Sequence, residues 1–241
     1  MRVLLNEPEG TLTKYRLSRK AECSFSWLHE FLGKLEELRL VENTEVKDYS
    51  GLIKYWLSVK TKPAKQEYMC KNPISLIKKT QLSYALTTYQ AENLIQHYLF
   101  PSRTDLYIKT EDKEEWHNLI ATEGLVGKGN MRLLTTDPHV FYNSFKQQGL
   151  NIVSIPQLIV DLLEEDGVCT EAAEKLLDFG RTAVVAMIMR DQNDVCFLRG
   201  LNNIPILLQI NVEDFVHRSD LKTGMTKPLN ADHHSRHRFS I

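Results

Sequence analysis

The sequence predicts an α+β protein, with an N-terminal winged helix-turn-helix followed by a mixed α+β domain. Three observations predict it. Residues 11–42 (TLTKYRLSRKAECSFSWLHEFLGKLEELRLVE) carry two apolar patterns of helical period, separated by a short polar break. Residues 41–47 (VENTEVK) set β-branched side chains around a polar centre, as a small hairpin wing does. Beyond residue 72, short strand-like and helix-like segments mix, with no internal repeat. The expected domains are 1–62 for the winged helix, 72–220 for the α+β domain and 221–241 for a polar tail.

The elements follow in order. Residues 1–7 form a short first helix, apolar at Val3, Leu4 and Leu5, and Pro8, Glu9 and Gly10 turn the chain. Residues 11–21 make the second helix and 24–40 the third. The apolar set of the third is Trp27, Leu28, Phe31, Leu32, Leu35, Leu38 and Leu40, mostly spaced by three and four. Ser24 and Ser26 are its candidate caps. After the wing, Asp48 caps a helix over 49–60. Residues 61–71, polar and interrupted by Pro63, read as the inter-domain connection. Helices are then expected over 72–79, 87–98, 112–122, 157–165 and 170–179. Pro156 lies in the first turn of the fourth of these and Gly167 beyond its end. Strands are expected at 105–109, 130–134, 139–142, 151–154, 182–189 and 195–198. Residues 204–210 read equally as strand or helix.

Composition removes several classes. Of 241 residues, 42% are hydrophobic and 25% charged, which is ordinary for a globular chain. The net charge is −1, so DNA contact has to come from a local cluster. Cys23, Cys70, Cys169 and Cys196 are scattered and form no metal or disulfide pattern, which fits a reduced compartment. No leader peptide and no apolar run of membrane-spanning length is visible. A cytoplasmic protein with no membrane partner, no metal and no cofactor is expected.

Double-stranded DNA is the expected partner. In a helix-turn-helix the N-terminal part of the second helix faces base edges, and neighbouring cations meet phosphates. Ser24, Ser26, His29 and Lys34 are the candidates on the recognition helix, where Glu30 is also exposed. Lys14, Arg16, Arg19 and Lys20 cluster on the helix before it, and Lys47 flanks the wing. A solvated helix face explains the same cations equally well, and a winged helix that touches only protein is the competing use. Nucleotidyltransferase chemistry needs a Gly-Ser turn and two carboxylates one residue apart. Ser102–Tyr107 offers Asp105, but Tyr107 stands where the second carboxylate belongs and no glycine precedes Ser102. The chain is therefore not expected to be an enzyme. His233, His234 and His237 read as tail composition, and Gly127–Asn130 as a turn. Asp161, Asn130 and Arg132 read as internal polar partners.

Two stretches together resemble a known family. One is the N-terminal unit running into VKDYSGLIKYW (46–56). The other is GNMRLL (129–134) with VFY (140–142), followed by VSIPQLIVDLL (153–163) and EAAEKLL (171–177). The pattern resembles the AbiEi-type antitoxins of type IV toxin–antitoxin systems, over about residues 1–178. The resemblance implies an N-terminal domain that represses its own operon and a C-terminal domain that opposes a nucleotidyltransferase-type toxin partner. It places DNA contact at 24–34 and near 44–47. A homodimer on a palindromic site is the expected assembly.

Overall fold

Capping residues set the register of the first 60 positions. The computed structural model describes residues 1–178. Helix α1 spans Arg2–Asn6 and buries Val3, Leu4 and Leu5. Helix α2 spans Lys14–Lys20, where the Thr13 hydroxyl accepts from the Arg16 amide. Helix α3 spans Phe25–Glu37, and the Ser24 hydroxyl accepts from the Trp27 amide. These oxygens satisfy amides that a helix start leaves unpaired. Strands β1 (Val41–Glu42) and β2 (Glu45–Val46) pair antiparallel around a two-residue turn. Asn43 holds that turn at φ 55°, a conformation asparagine tolerates. Glu9 adds an isolated antiparallel bridge to Glu45. Helix α4 spans Tyr49–Val59 behind the Asp48 cap. Leu17, Leu28, Leu32, Leu35, Leu52 and Ile53 form the centre of this part of the core.

A seven-stranded mixed sheet follows. Its strands are β3 (Ala64–Cys70), β4 (Tyr84–Thr87), β5 (Thr104–Ile108), β6 (Gly124–Val126), β7 (Met131–Thr135), β8 (Phe145–Gln147) and β9 (Leu150–Ile152). Their spatial order is β6-β3-β7-β5-β4-β9-β8. The β5–β7 and β4–β9 pairs are parallel and the others antiparallel. The connecting helices are α5 (Pro73–Lys79), α6 (Thr88–Gln96), α7 (Lys113–Ala121) and α8 (Ile155–Glu165), and one more helix begins at 168 and runs through 178. Every residue of β4 and β5 is buried, as central strands covered on both faces require. Trp116 of α7 packs edge-on against Tyr84 on one face. On the other face Asp161 of α8 accepts from Thr87 and Tyr107.

The α+β class is observed, and several expected elements are corrected. Residues 61–71 are not a linker, because most of that stretch is β3, paired on both sides. Its polar side chains misled the reading, since Glu67 faces Arg132 rather than solvent alone. Residues 139–142 are not a strand, because Pro138 opens a 3₁₀ turn over Pro138–Phe141. Proline fixes a helical φ at a first-turn position. Strands β4, β6 and β8 were not expected. Trp27 and Leu38 are both 54% exposed and do not join the core face of α3. The described residues lie in one compact unit, in which α1 and α4 both pack on α8. The segments expected at 182–189, 195–198 and 204–210, Cys196, and the tail histidines lie outside the described residues.

Candidate nucleic-acid interface

Helices α2 and α3 are joined by the turn at residues 21–24, where Glu22 adopts φ 54°. Leu17 and Ser18 anchor α2 inward, which leaves Arg16, Arg19 and Lys20 exposed and Lys14 half-buried. In α3 the inward face is Leu28, Leu32 and Leu35. With 3.6 residues per turn, the opposite line holds Ser26, Glu30, Gly33 and Glu37. All but Gly33 are exposed, and a Cβ on Gly33 would meet nothing within 4 Å. The outward face of α3 is therefore open among the described residues.

The nine candidate residues do not behave alike. Ser24 spends its oxygen on the cap, 3.3 Å from the Trp27 amide. Ser26 and His29 are exposed. Lys20 pairs with Glu7 at 2.5 Å, Lys34 with Glu30 at 2.8 Å, and Lys47 with Glu45 at 2.7 Å and Glu42 at 3.0 Å. Hydrogen bonding to Glu30 raises the Lys34 pKa, and bonding to Glu45 and Glu42 raises that of Lys47. Such exposed pairs contribute little to stability and exchange readily for other anions. Lys14, Arg16 and Arg19 make no ion pair among the described residues, so among the candidate residues the uncompensated positive charge lies on α2. Residues 1–62 carry eleven basic and nine acidic side chains, a net of +2.

The hairpin β1–β2 is small and well anchored. Thr44, buried, donates its hydroxyl to the Leu12 carbonyl at 2.6 Å. The Asn43 amide donates to Glu36 of α3 at 2.9 Å. Gly10 packs so closely on this hairpin that a Cβ would lie 2.7 Å from the Glu45 Cβ, at φ 70°. The tip carries Glu42 and Glu45 with Lys47 between them, so it supplies no spare cation.

Exposed aromatic side chains are the feature the sequence reading missed. Tyr15 is 65%, Phe25 49% and Trp27 54% exposed. Phe25 stacks on His29 with planes 2° apart, and Trp27 stacks on Phe31 with centroids 4.9 Å apart. The signal was available in the helix geometry, because Trp27 sits 100° from Leu28 and cannot share its inward line.

Polar contacts mount this unit on the sheet. Lys60, just past α4, is 9% exposed and reaches Asp161 at 3.1 Å and Glu164 at 2.5 Å. Arg2 donates to Gln157 and makes a bidentate pair with Asp137. Tyr142 donates to Glu7, and the His139 ring donates to the Lys20 carbonyl at 2.8 Å. The end of α2 is thus held by the 3₁₀ turn.

The residues singled out for other chemistry are absorbed into structure. Asp161 accepts from Lys60, Thr87, Tyr107 and Gln157. Its burial pushes its carboxyl up in pKa, against the pull of Lys60. Asp105 is fully buried, bound by Arg103 at 2.6 Å and by Thr88 at 2.5 Å. Arg103 and Arg132 both bind Glu165. Thr88 takes φ 49° at the β4–α6 junction, a strained choice for a β-branched residue, and its bond to Asp105 fixes it there. Asn130 bridges the amide and carbonyl of Cys70 at 2.9 Å each. No group of metal-ligating side chains and no helix long and apolar enough to cross a membrane is present among the described residues. Cys23, Cys70 and Cys169 are free thiols.

No family model matches the chain, and no curated protein or solved structure matches it either.

Proposed function

We propose that residues 1–62 are a winged helix-turn-helix and that the protein is a DNA-binding transcriptional regulator. The single observation that carries this reading is the open outward face of α3, set beside the unpaired cations Lys14, Arg16 and Arg19 of α2. The chain order supports it as well: α1, a bridging residue at Glu9, α2, α3, then β1 and β2. That order gives a recognition helix flanked by a wing. The acidic wing directs the proposal to α2 and α3 rather than to the hairpin for phosphate contact.

The resemblance to AbiEi-type antitoxins extends the proposal. The protein represses its own operon as a cytoplasmic homodimer, and the α+β part opposes a nucleotidyltransferase-type toxin. The α+β part is not itself an enzyme, which is supported by the way Arg103 and Thr88 occupy Asp105. The exposed Tyr15, Phe25 and Trp27 favour a second reading, in which the same face docks on a protein.

A salt titration of duplex DNA binding tests the proposal. Affinity falls steeply as salt rises if phosphates are neutralised. Arg16→Ala and Arg19→Ala each flatten the log–log slope by about one. Binding that is absent, or insensitive to salt, refutes the regulator reading and leaves the protein-docking one.

A further inference from the structure

We infer that the tip of α3 reads thymine methyl groups, so that the preferred duplex is rich in thymine where this helix enters the major groove. The inference rests on the DNA-binding reading above and names what that site selects.

The first two turns of α3 run FSWLHEFL (25–32) and contain no Arg, Lys, Asn or Gln. Those are the side chains that pair bidentately with guanine or adenine in the major groove. What the tip offers instead is the Ser26 hydroxyl with an aromatic ring on each side. Phe25 and Trp27 lie 100° to either side of Ser26 around the helix axis. Both rings are about half exposed. Each is braced one turn further along the helix, Phe25 by His29 and Trp27 by Phe31. A ring held by stacking loses little freedom on binding, so its apolar edge is available at low entropic cost. In the major groove, the apolar group on a base edge is the thymine 5-methyl.

Charge selects duplex DNA as the occupant over an apolar protein surface. The neighbouring α2 presents Lys14, Arg16 and Arg19 without carboxylate partners. No carboxylate precedes Glu30 in α3, and Glu30 is held by Lys34. The acidic residues Glu36 and Glu37 lie at the far end of the helix, away from the end that reads bases.

The test uses the full chain and a random-sequence duplex pool. The tightest-binding duplex is selected and then resynthesised with deoxyuridine in place of thymidine. This removes the 5-methyl group and leaves every hydrogen-bonding edge intact. Each contacted methyl lost weakens binding by about fourfold, the equivalent of burying one methyl-sized apolar group. Trp27→Ala and Phe25→Ala reduce the thymidine–deoxyuridine difference while keeping the salt slope. That retained slope shows that the variants still fold and still engage phosphate. Equal affinity for the two duplexes overturns the inference and leaves the DNA-binding reading standing. Full discrimination by both variants also overturns it, because the methyls are then read elsewhere. Absence of salt-dependent binding by the parent protein takes down both readings together.

Discussion

Replacing Lys60 by methionine removes the ammonium that ties the end of α4 to α8. Lys60 is 9% exposed, Asp161 4% and Glu164 18%. Methionine keeps the length and apolar bulk of the stem, so the perturbation is mainly the loss of charge. Breaking a buried pair by deleting one partner costs about 3–5 kcal/mol, because the other charge stays buried and uncompensated. Here Asp161 keeps three donors, Thr87 at 2.7 Å, Gln157 at 2.9 Å and Tyr107 at 3.1 Å. The expected cost is therefore about 3 kcal/mol at neutral pH, the lower end of that range. Urea unfolding across a pH series measures it.

The pH dependence identifies the cause. Burial already holds the Asp161 carboxyl above its usual range in the folded protein. Loss of the ammonium raises it further. A carboxyl whose folded pKa is raised favours the folded state while protonated, and that contribution is lost as pH rises through the folded value. The deficit of Lys60→Met relative to the parent is thus small near the unfolded aspartate value of about 3.9 and grows toward neutrality. Adding Asp161→Asn removes the stranded charge and recovers part of the loss. A neutral-pH cost under about 1 kcal/mol, the size of an exposed pair, refutes the reasoning. A deficit that does not vary with pH refutes it as well.

Three further outcomes are expected. Ser24→Ala removes the α3 cap and lowers stability by about 1 kcal/mol in thermal or urea unfolding. Ser24→Asp keeps the cap but weakens duplex binding by placing a carboxylate at the tip. Burial pushes the Glu7 carboxyl up, but bonds from Lys20 and Tyr142 pull it below its usual value. Its stabilising contribution is therefore present above the unfolded glutamate pKa of about 4.3 and lost as pH falls through the folded value. The stability difference between the parent and Glu7→Gln should shrink accordingly on acidification. Gly129→Ala places a Cβ 2.2 Å from the Tyr68 carbonyl. It destabilises by about 1–3 kcal/mol on the scale of overpacking, readable as a lowered urea midpoint.

The N-terminal elements were legible because each is announced locally. Ser24 and Asp48 mark helix starts by residue type, and each side chain accepts the expected amide bond, while Thr13 caps α2 without having been singled out. The sheet was less legible for two physical reasons. Strand β3 carries charge on the side that faces Arg132, so it lacks the alternation of a half-solvated strand. Strands β6 and β8 have three residues each, too short for a periodic signal. At the interface the residue types alone suggested nine DNA contacts. They cannot show that Glu7, Glu30, Glu42 and Glu45 come within bonding distance of three of the four lysines. Three of these ion pairs form within a helix or beside the hairpin, but Glu7 reaches Lys20 only through the fold. Of the tip aromatics, Trp27 was misassigned to the apolar face, because spacings of three and four were counted without projecting them around the axis, and Phe25 was given no role.

On the proposed DNA-binding reading, the ion-pair pattern sets the salt dependence of binding. If Lys20, Lys34 and Lys47 keep their carboxylates, each copy offers phosphates three free cations on α2: Lys14, Arg16 and Arg19. Each neutralised phosphate contributes about 0.9 to the log–log salt slope on duplex DNA. One copy then gives a slope near 2.7 and a two-fold dimer near 5.4 on that scale. Exposed lysine–glutamate pairs are worth about 0–1 kcal/mol, so a phosphate within reach can also recruit Lys20 or Lys34. Recruitment exposes a carboxylate beside the DNA, and Glu7→Gln or Glu30→Gln then steepens the slope. If the pairs stay closed, those two variants leave the slope unchanged, and the measured value counts α2 cations alone. A slope near six per copy, unaffected by Arg16→Ala and Arg19→Ala, places the phosphate contacts on another surface and defeats the assignment to α2.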